Sequence, residues 1–190
     1  MKKNRRHHVM IDIETLGKKP GAVILTIAAC AFTDIRVGKK FYARIVPASA
    51  FSCGLTCDPE TVRFWLENAA EFCALLTDAD PPAESLAQSL NDFSRWIQDV
   101  NPSCVWACGA SFDFPILSAA YDAMHKTKPW QHWQERCFRT VRNIFATPGI
   151  AIAAQVKRRR AHYAPDDVAY QANLLISIGK KYPLILAEPQ

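Results

Sequence analysis

The spacing of apolar residues changes character along this chain, and the changes mark its elements. Residues 8–14 read as a first strand, apolar except where Asp12 and Glu14 interrupt it. Residues 17–21 form a turn punctuated by Pro20-Gly21. Residues 23–33 are a long apolar, β-rich run that predicts a buried central strand. Residues 40–46 alternate, with Phe41, Ala43 and Ile45 set against Tyr42, Arg44 and Val46, and predict a third strand. Three strands with short links predict an antiparallel meander.

The period then lengthens. After a loop through residue 57, Asp58-Pro59-Glu60 reads as a helix start, with an acidic N-cap and proline at the first helical position. Val62, Trp65 and Leu66 share a face of that helix. Asp80-Pro81-Pro82 reads as opening another, on which Leu86, Leu90, Phe93 and Ile97 form one stripe. Residues 104–108 predict a strand ended by Gly109, and residues 113–124 a helix that tolerates Pro115 near its start. An aromatic-rich loop spans 126–133, and a short helix spans 138–145 before Thr147-Pro148-Gly149 breaks it. Pro165-Asp166-Asp167 starts a final helix through Ile178, with Leu174, Leu175 and Ile178 on its core face. Strands first, then strands and helices mixed, predict one α/β domain over 1–190 with a basic N-terminal tail over about 1–7.

Composition narrows the class. With 190 residues, 49% of them apolar, the chain can bury a real core. Charges interrupt every apolar run before it reaches membrane-spanning length, so no membrane partner is expected. Acid-containing strand, not a signal-peptide core, follows the basic start, and a cytoplasmic protein is the expectation. An odd count of 7 cysteines argues against a disulfide framework. Cys53 and Cys57 have zinc-like spacing but no partner pair. Cys104 and Cys108 lie along a strand, roughly 13 Å apart, too far for one zinc. The net charge of +5 is clustered in the N-terminal tail and in Lys157-Arg158-Arg159-Arg160. That second run abuts His162, so contact with a phosphate backbone outweighs a merely solvated loop.

The chemistry starts at Asp12 and Glu14. Strand residues two apart point to one face, so these carboxylates project together from an apolar strand. Neighbouring carboxylates repel, and a hard divalent cation with oxygen ligands is the simplest compensation. Taken alone, the pair is equally a strand edge with two solvated acids. Asp113 follows the fourth strand, Asp167 lies in the first turn of the last helix, and His162 precedes it by five residues. Helix N-termini can sit at the carboxyl edge of such a sheet, which would gather all five groups.

Three motifs in order carry a family resemblance over nearly the whole chain. Ile11-Asp12-Ile13-Glu14-Thr15 resembles the first exonuclease motif of the DEDD superfamily, and Phe112-Asp113 after Gly109 resembles the second. His162-Tyr163-Ala164-Pro165-Asp166-Asp167 fits the His-x-Ala-x-x-Asp third motif of the DEDDh branch. The resemblance implies a ribonuclease H-like fold, a mixed central sheet flanked by helices, and 3′→5′ exonuclease activity with two Mg2+ (or Mn2+). It implies that Asp12 bridges both ions, that Glu14 and Asp167 complete the site of the water-activating ion, and that Asp113 supports the second through water. His162 is implied as the general base, for which an ordinary pKa near 6.5 is suited. Of the adjacent acids, motif spacing selects Asp167, leaving Asp166 as a helix N-terminal charge or cap.

Finer features resemble the phage and prophage group around exodeoxyribonuclease VIII. They are Thr61-Val62-Arg63-Phe64-Trp65-Leu66, Val105-Trp106 before Gly109-Ala110-Ser111-Phe112-Asp113, and Glu135-Arg136-Cys137-Phe138-Arg139-Thr140. This subgroup implies a partner nucleic acid with a free 3′ end, DNA ahead of RNA. An exoribonuclease has the same acids and histidine, and a binding module that has lost catalysis is the reading from another class. Thr15, Leu16, Phe112, Arg158, Arg159 and Arg160 are the expected substrate contacts, with core packing as the alternative for Leu16 and Phe112. Arg136 and Arg139 are expected to meet internal acids or phosphate, and His7 and His8 to belong to the tail. Related exonucleases self-associate, so a homo-oligomer is left open.

Overall fold

The computed structural model describes residues 7–77, 81–147, 149–150 and 163–187. A five-stranded sheet has the order β3-β2-β1-β4-β5. Its strands are β1 (His8–Thr15), β2 (Ile24–Phe32), β3 (Val37–Arg44), β4 (Cys104–Ala107) and β5 (Glu135–Cys137). The first three form the expected antiparallel meander, with Ile11 opposite Ala29 and Ala29 opposite Phe41. β4 then runs parallel to β1, pairing Ile11 with Ala107, and β5 runs parallel to β4, pairing Ala107 with Cys137. Parallel neighbours need long crossovers, and helices supply them.

The helices are α1 (Pro47–Phe51), α2 (Pro59–Glu67), α3 (Ala69–Thr77), α4 (Leu86–Val100), α5 (Ala110–Ala123), α6 (Phe138–Phe145) and α7 (Ala164–Lys181). One sheet face meets α4 and α5. There Val9, Ile11 and Ile13 of β1 join Leu86, Leu90, Phe93 and Ile97, all at most 4% exposed. The other face meets α7, where Met10, Ala28 and Cys30 pack with Val168, Ala172 and Leu175. Each large side chain buried this way contributes about 1.5–3 kcal/mol. Because β1 alternates, Met10, Asp12 and Glu14 all point to the α7 side. The strand that anchors the core thus ends in two acids aimed at the start of the last helix.

Several boundaries differ from the expectations, each for a local reason. The loop after β3 holds the single turn α1, with Pro47 in its first turn and the Ser49 hydroxyl donating to the Val46 carbonyl at 2.6 Å; five residues are too few to show a period. α4 starts at Leu86 rather than at the proline pair, because the Ser85 hydroxyl accepts the Gln88 N–H at 3.2 Å as N-cap. α5 starts at Ala110, three residues before Asp113. Gly109 makes this possible, turning the chain at φ +106° straight from strand into helix. The three-residue β5 escaped notice between an aromatic loop and a helix. His8 is not part of a tail: it is 1% exposed on β1, stacked on Phe32 at 5.2 Å between ring centroids.

Candidate active site at the carboxyl edge of the sheet

β1, β4 and β5 run in the same direction, so their carboxyl ends share one edge of the sheet. The N-termini of α5 and α7 arrive at that edge, carrying Asp113 and Asp167 in their first turns. Partial positive charge at a helix start favours a carboxylate there. Asp12, Glu14 and Asp167 each offer a carboxylate oxygen, and the three oxygens lie within 4.8 Å of one another. Asp12 and Glu14 are half-buried and Asp167 is 6% exposed. Asp167, not Asp166, is thus the acid that joins the strand pair.

Asp113 approaches from the opposite face of the sheet. Its Oδ1 accepts the backbone N–H of Ile13 at 3.3 Å, which places it between Asp12 and Glu14 along β1. Burial pushes the Asp113 carboxyl well above the ordinary carboxylate range, and the neighbouring Asp12 charge pushes it further. The Ile13 N–H and the Arg139 guanidinium oppose that shift without cancelling it. A set of converging oxygen donors is chemically suited to hard divalent cations. An ion about 2.1 Å from each ligand oxygen allows two of them to stand up to about 4.2 Å apart. The three acid oxygens stand close enough together to face one such ion.

The end of β1 is tied down from outside the acid set. A register shift between Glu14 and Thr15 bends the strand as it leaves the sheet. Trp65 of α2 is 1% exposed and donates its indole N–H to the Thr15 carbonyl at 2.8 Å. The Thr15 hydroxyl donates to the Gly17 carbonyl at 2.6 Å, and Leu16 is 8% exposed within the larger core. Both residues are packed inside, where they support the end of the strand. Phe112 is half-buried against the same core, while Phe114 is fully buried in it. Arg158, Arg159, Arg160 and His162 lie outside the described residues.

Two further side chains belong to this edge. Gln171 stands one turn beyond Asp167 on α7 and donates its Nε2–H to Asp12 Oδ1 at 3.2 Å. Sequence reading passed over it, although a spacing of four from Asp167 puts it on the same helix face. Arg139 of α6 donates Nη2–H to the Cys108 carbonyl at 3.1 Å, and its guanidinium lies across Gly109. A Cβ at Gly109 would meet that nitrogen at 2.9 Å, a contact the long arginine side chain could relieve by shifting, so it is the positive φ that calls for glycine here. Nearby, the Cys137 thiol is partly buried, which disfavours its ionisation. Hydrogen bonds from Thr140 and from the backbone at Ala110 and Gly109 outweigh that burial and lower it to about 7.

Residues 7–178 match the family described as the Rv2179c-like 3′-5′ exoribonuclease domain. Among curated protein sequences, none matches. The fold is similar to the nuclease domain of 3′hExo, a DEDDh family member bound to rAMP, with a TM-score of 0.66 at 9% identity over 100% of this chain and 99% of that one. It is also similar to cell-death related nuclease 4, with a TM-score of 0.62 at 13% identity over 93% of this chain and 64% of that one. Exonuclease X in complex with 5′ overhanging duplex DNA gives 0.57 at 18% identity over 93% of each chain. These likenesses establish the ribonuclease H-like α/β fold that the motifs led us to expect, though the narrower grouping with exodeoxyribonuclease VIII finds no counterpart among them. The chain belongs to the Rv2179c-like 3′-5′ exoribonuclease domain family.

Proposed function

We propose that the protein is a divalent-metal-dependent exonuclease that trims a polynucleotide from its free 3′ end and releases 5′-mononucleotides. The meeting of Asp12, Glu14 and Asp167 oxygens within 4.8 Å, in a chain of an exonuclease family, carries this reading. The family description favours RNA as substrate. DNA is the second reading, favoured by the flanking motifs at 61–66 and 135–140 and by the duplex held by Exonuclease X.

In this reading Asp12, Glu14 and Asp167 would hold one divalent ion, Mg2+ or Mn2+, and Asp113 would support a second. Bound there, such ions supply Lewis-acid stabilisation to the attacking and leaving oxygens of an in-line displacement. His162 is the base, assigned from its spacing to Asp167; it takes a proton from water as the new P–O bond forms and the bond to the 3′ oxygen breaks. The leaving 3′ oxygen takes a proton from solvent, so the shortened chain keeps a 3′ hydroxyl, and the terminal nucleotide leaves with its 5′ phosphate. Arg139 fits a phosphate contact at the Asp113 side of the site. The Cys108 carbonyl and thiol engage part of the guanidinium, and the exposed side chain can turn its other donors to phosphate oxygens. Arg158, Arg159 and Arg160 are assigned the same role by charge alone.

The test uses 5′-labelled RNA, single-stranded DNA and duplex DNA, each with Mg2+ or Mn2+. A ladder shortening from the 3′ end, with 5′-mononucleotides as product, is expected, fastest on RNA. Nicking of a closed circle with no dependence on ends would sink the exonuclease reading. Equal or faster loss of DNA would select the second substrate.

A further inference from the structure

We infer that Gln171 is a positioning residue for the metal site, orienting Asp12 through its amide nitrogen and receiving a hydrogen bond from ion-bound water at its amide oxygen. The inference rests on the metal reading above and extends it to a residue that no motif contains.

Three observations converge. Gln171 is 7% exposed, in the first half of α7, one turn past Asp167. Its Nε2–H reaches Asp12 Oδ1 at 3.2 Å. Its Oε1 is buried with no hydrogen-bond partner among the described residues. A buried acceptor left unpaired is costly, and native proteins satisfy such atoms with protein groups or with ordered water. The amide cannot simply be turned round, because its oxygen would then face the Asp12 carboxylate, which has no proton to give when ionised. The oxygen therefore stays buried on the same amide whose nitrogen meets Asp12.

The choice of an amide is informative. A lysine or arginine at this position would also hold Asp12, but it would neutralise the charge that attracts a cation. A neutral donor fixes the carboxylate and leaves its charge intact. Groups that orient metal ligands in this manner typically change metal affinity 10–100-fold when removed.

The experiment is calorimetric titration of metal-free protein with Mn2+, on wild type, Gln171→Met and Gln171→Lys, with 3′-end trimming measured in parallel. Methionine keeps the length and apolar stem and removes both polar atoms. It should weaken Mn2+ binding at least tenfold, and saturating Mn2+ should return kcat to within about threefold of wild type with KM for the nucleic acid unchanged. Lysine should abolish Mn2+ binding while melting temperature in the absence of metal is kept, since the ammonium pairs with Asp12. Unchanged Mn2+ affinity in Gln171→Met, with wild type trimming normally, overturns the role of Gln171 alone. Weakened affinity in a protein whose wild type trims nothing supports Gln171 and overturns the exonuclease reading. Wild type that fails to bind Mn2+ overturns the inference.

Discussion

Replacing Trp65 with phenylalanine probes how the end of β1 is held. The indole is 1% exposed, donates to the Thr15 carbonyl at 2.8 Å, and stacks on Phe72 at 5.5 Å between centroids. Phenylalanine keeps an aromatic ring in the core and removes the donor. A buried carbonyl that loses its partner costs about 1–3 kcal/mol. The space left by the smaller ring adds roughly 1 kcal/mol. The sum, about 2–4 kcal/mol, corresponds to a fall in melting temperature of about 5–15 °C for a domain of this size. Scanning calorimetry without metal reads it directly. Thr15 follows Glu14, so a looser strand end should also raise the Mn2+ concentration needed for half-maximal activity. A fall below about 2 °C with unchanged metal dependence would refute the reasoning, because the indole would then be one more apolar filler.

Asp12→Ala should abolish trimming yet leave metal-free protein folded, and retained turnover would remove Asp12 from the site. Asp113 sets a pH signature: its pKa is raised in the fold, so the stability due to its protonated form is complete below the ordinary 3.8 and is lost as pH climbs through the raised value. Metal-free wild type should therefore melt at lower temperature at neutral than at mildly acidic pH, and Asp113→Asn should flatten that slope; parallel curves would contradict it. Arg139→Gln keeps a donor for the Cys108 carbonyl but loses the charge, so KM should rise about tenfold and the salt slope of binding should shrink by about 0.7, with Arg139→Lys in between; unchanged slopes would leave Arg139 as a clip on β4. Iodoacetamide at pH 8 should modify Cys137, whose thiol lies at about 7, long before Cys30, which burial pushes to about 12; mass spectrometry of the digest reports the order, and early labelling of Cys30 would show that α7 opens readily.

What could be read from sequence followed the length scale of each signal. The meander was legible because 8–9-residue strands carry enough apolar positions to show their period, and α4 because its stripe recurs over four turns. The three-residue β5 and the five-residue α1 carry no period at all. The acids were legible as motifs, and Asp167 was separated from Asp166 by spacing alone. Gln171 was not, since a glutamine four residues past an aspartate looks like ordinary helix surface until α7 is laid against β1. Leu16 and Thr15 were assigned to substrate by their place in the motif, whereas the Trp65 indole that holds the Thr15 carbonyl comes from α2, far along the chain. Contacts between distant segments leave no local trace.

The two margins of the sheet have a consequence for handling the protein in solution. One margin is β3, where Gly38, Lys39 and Lys40 are exposed and the pairing with β2 slips between Cys30 and Phe32. The other is β5, three residues long. A charged, irregular margin and a stub offer little template for a foreign strand. Concentrated samples should accordingly resist growth of the sheet from one molecule into the next. Any pairing of copies would have to be built from side chains on helices and loops, and so would be sensitive to point substitutions there.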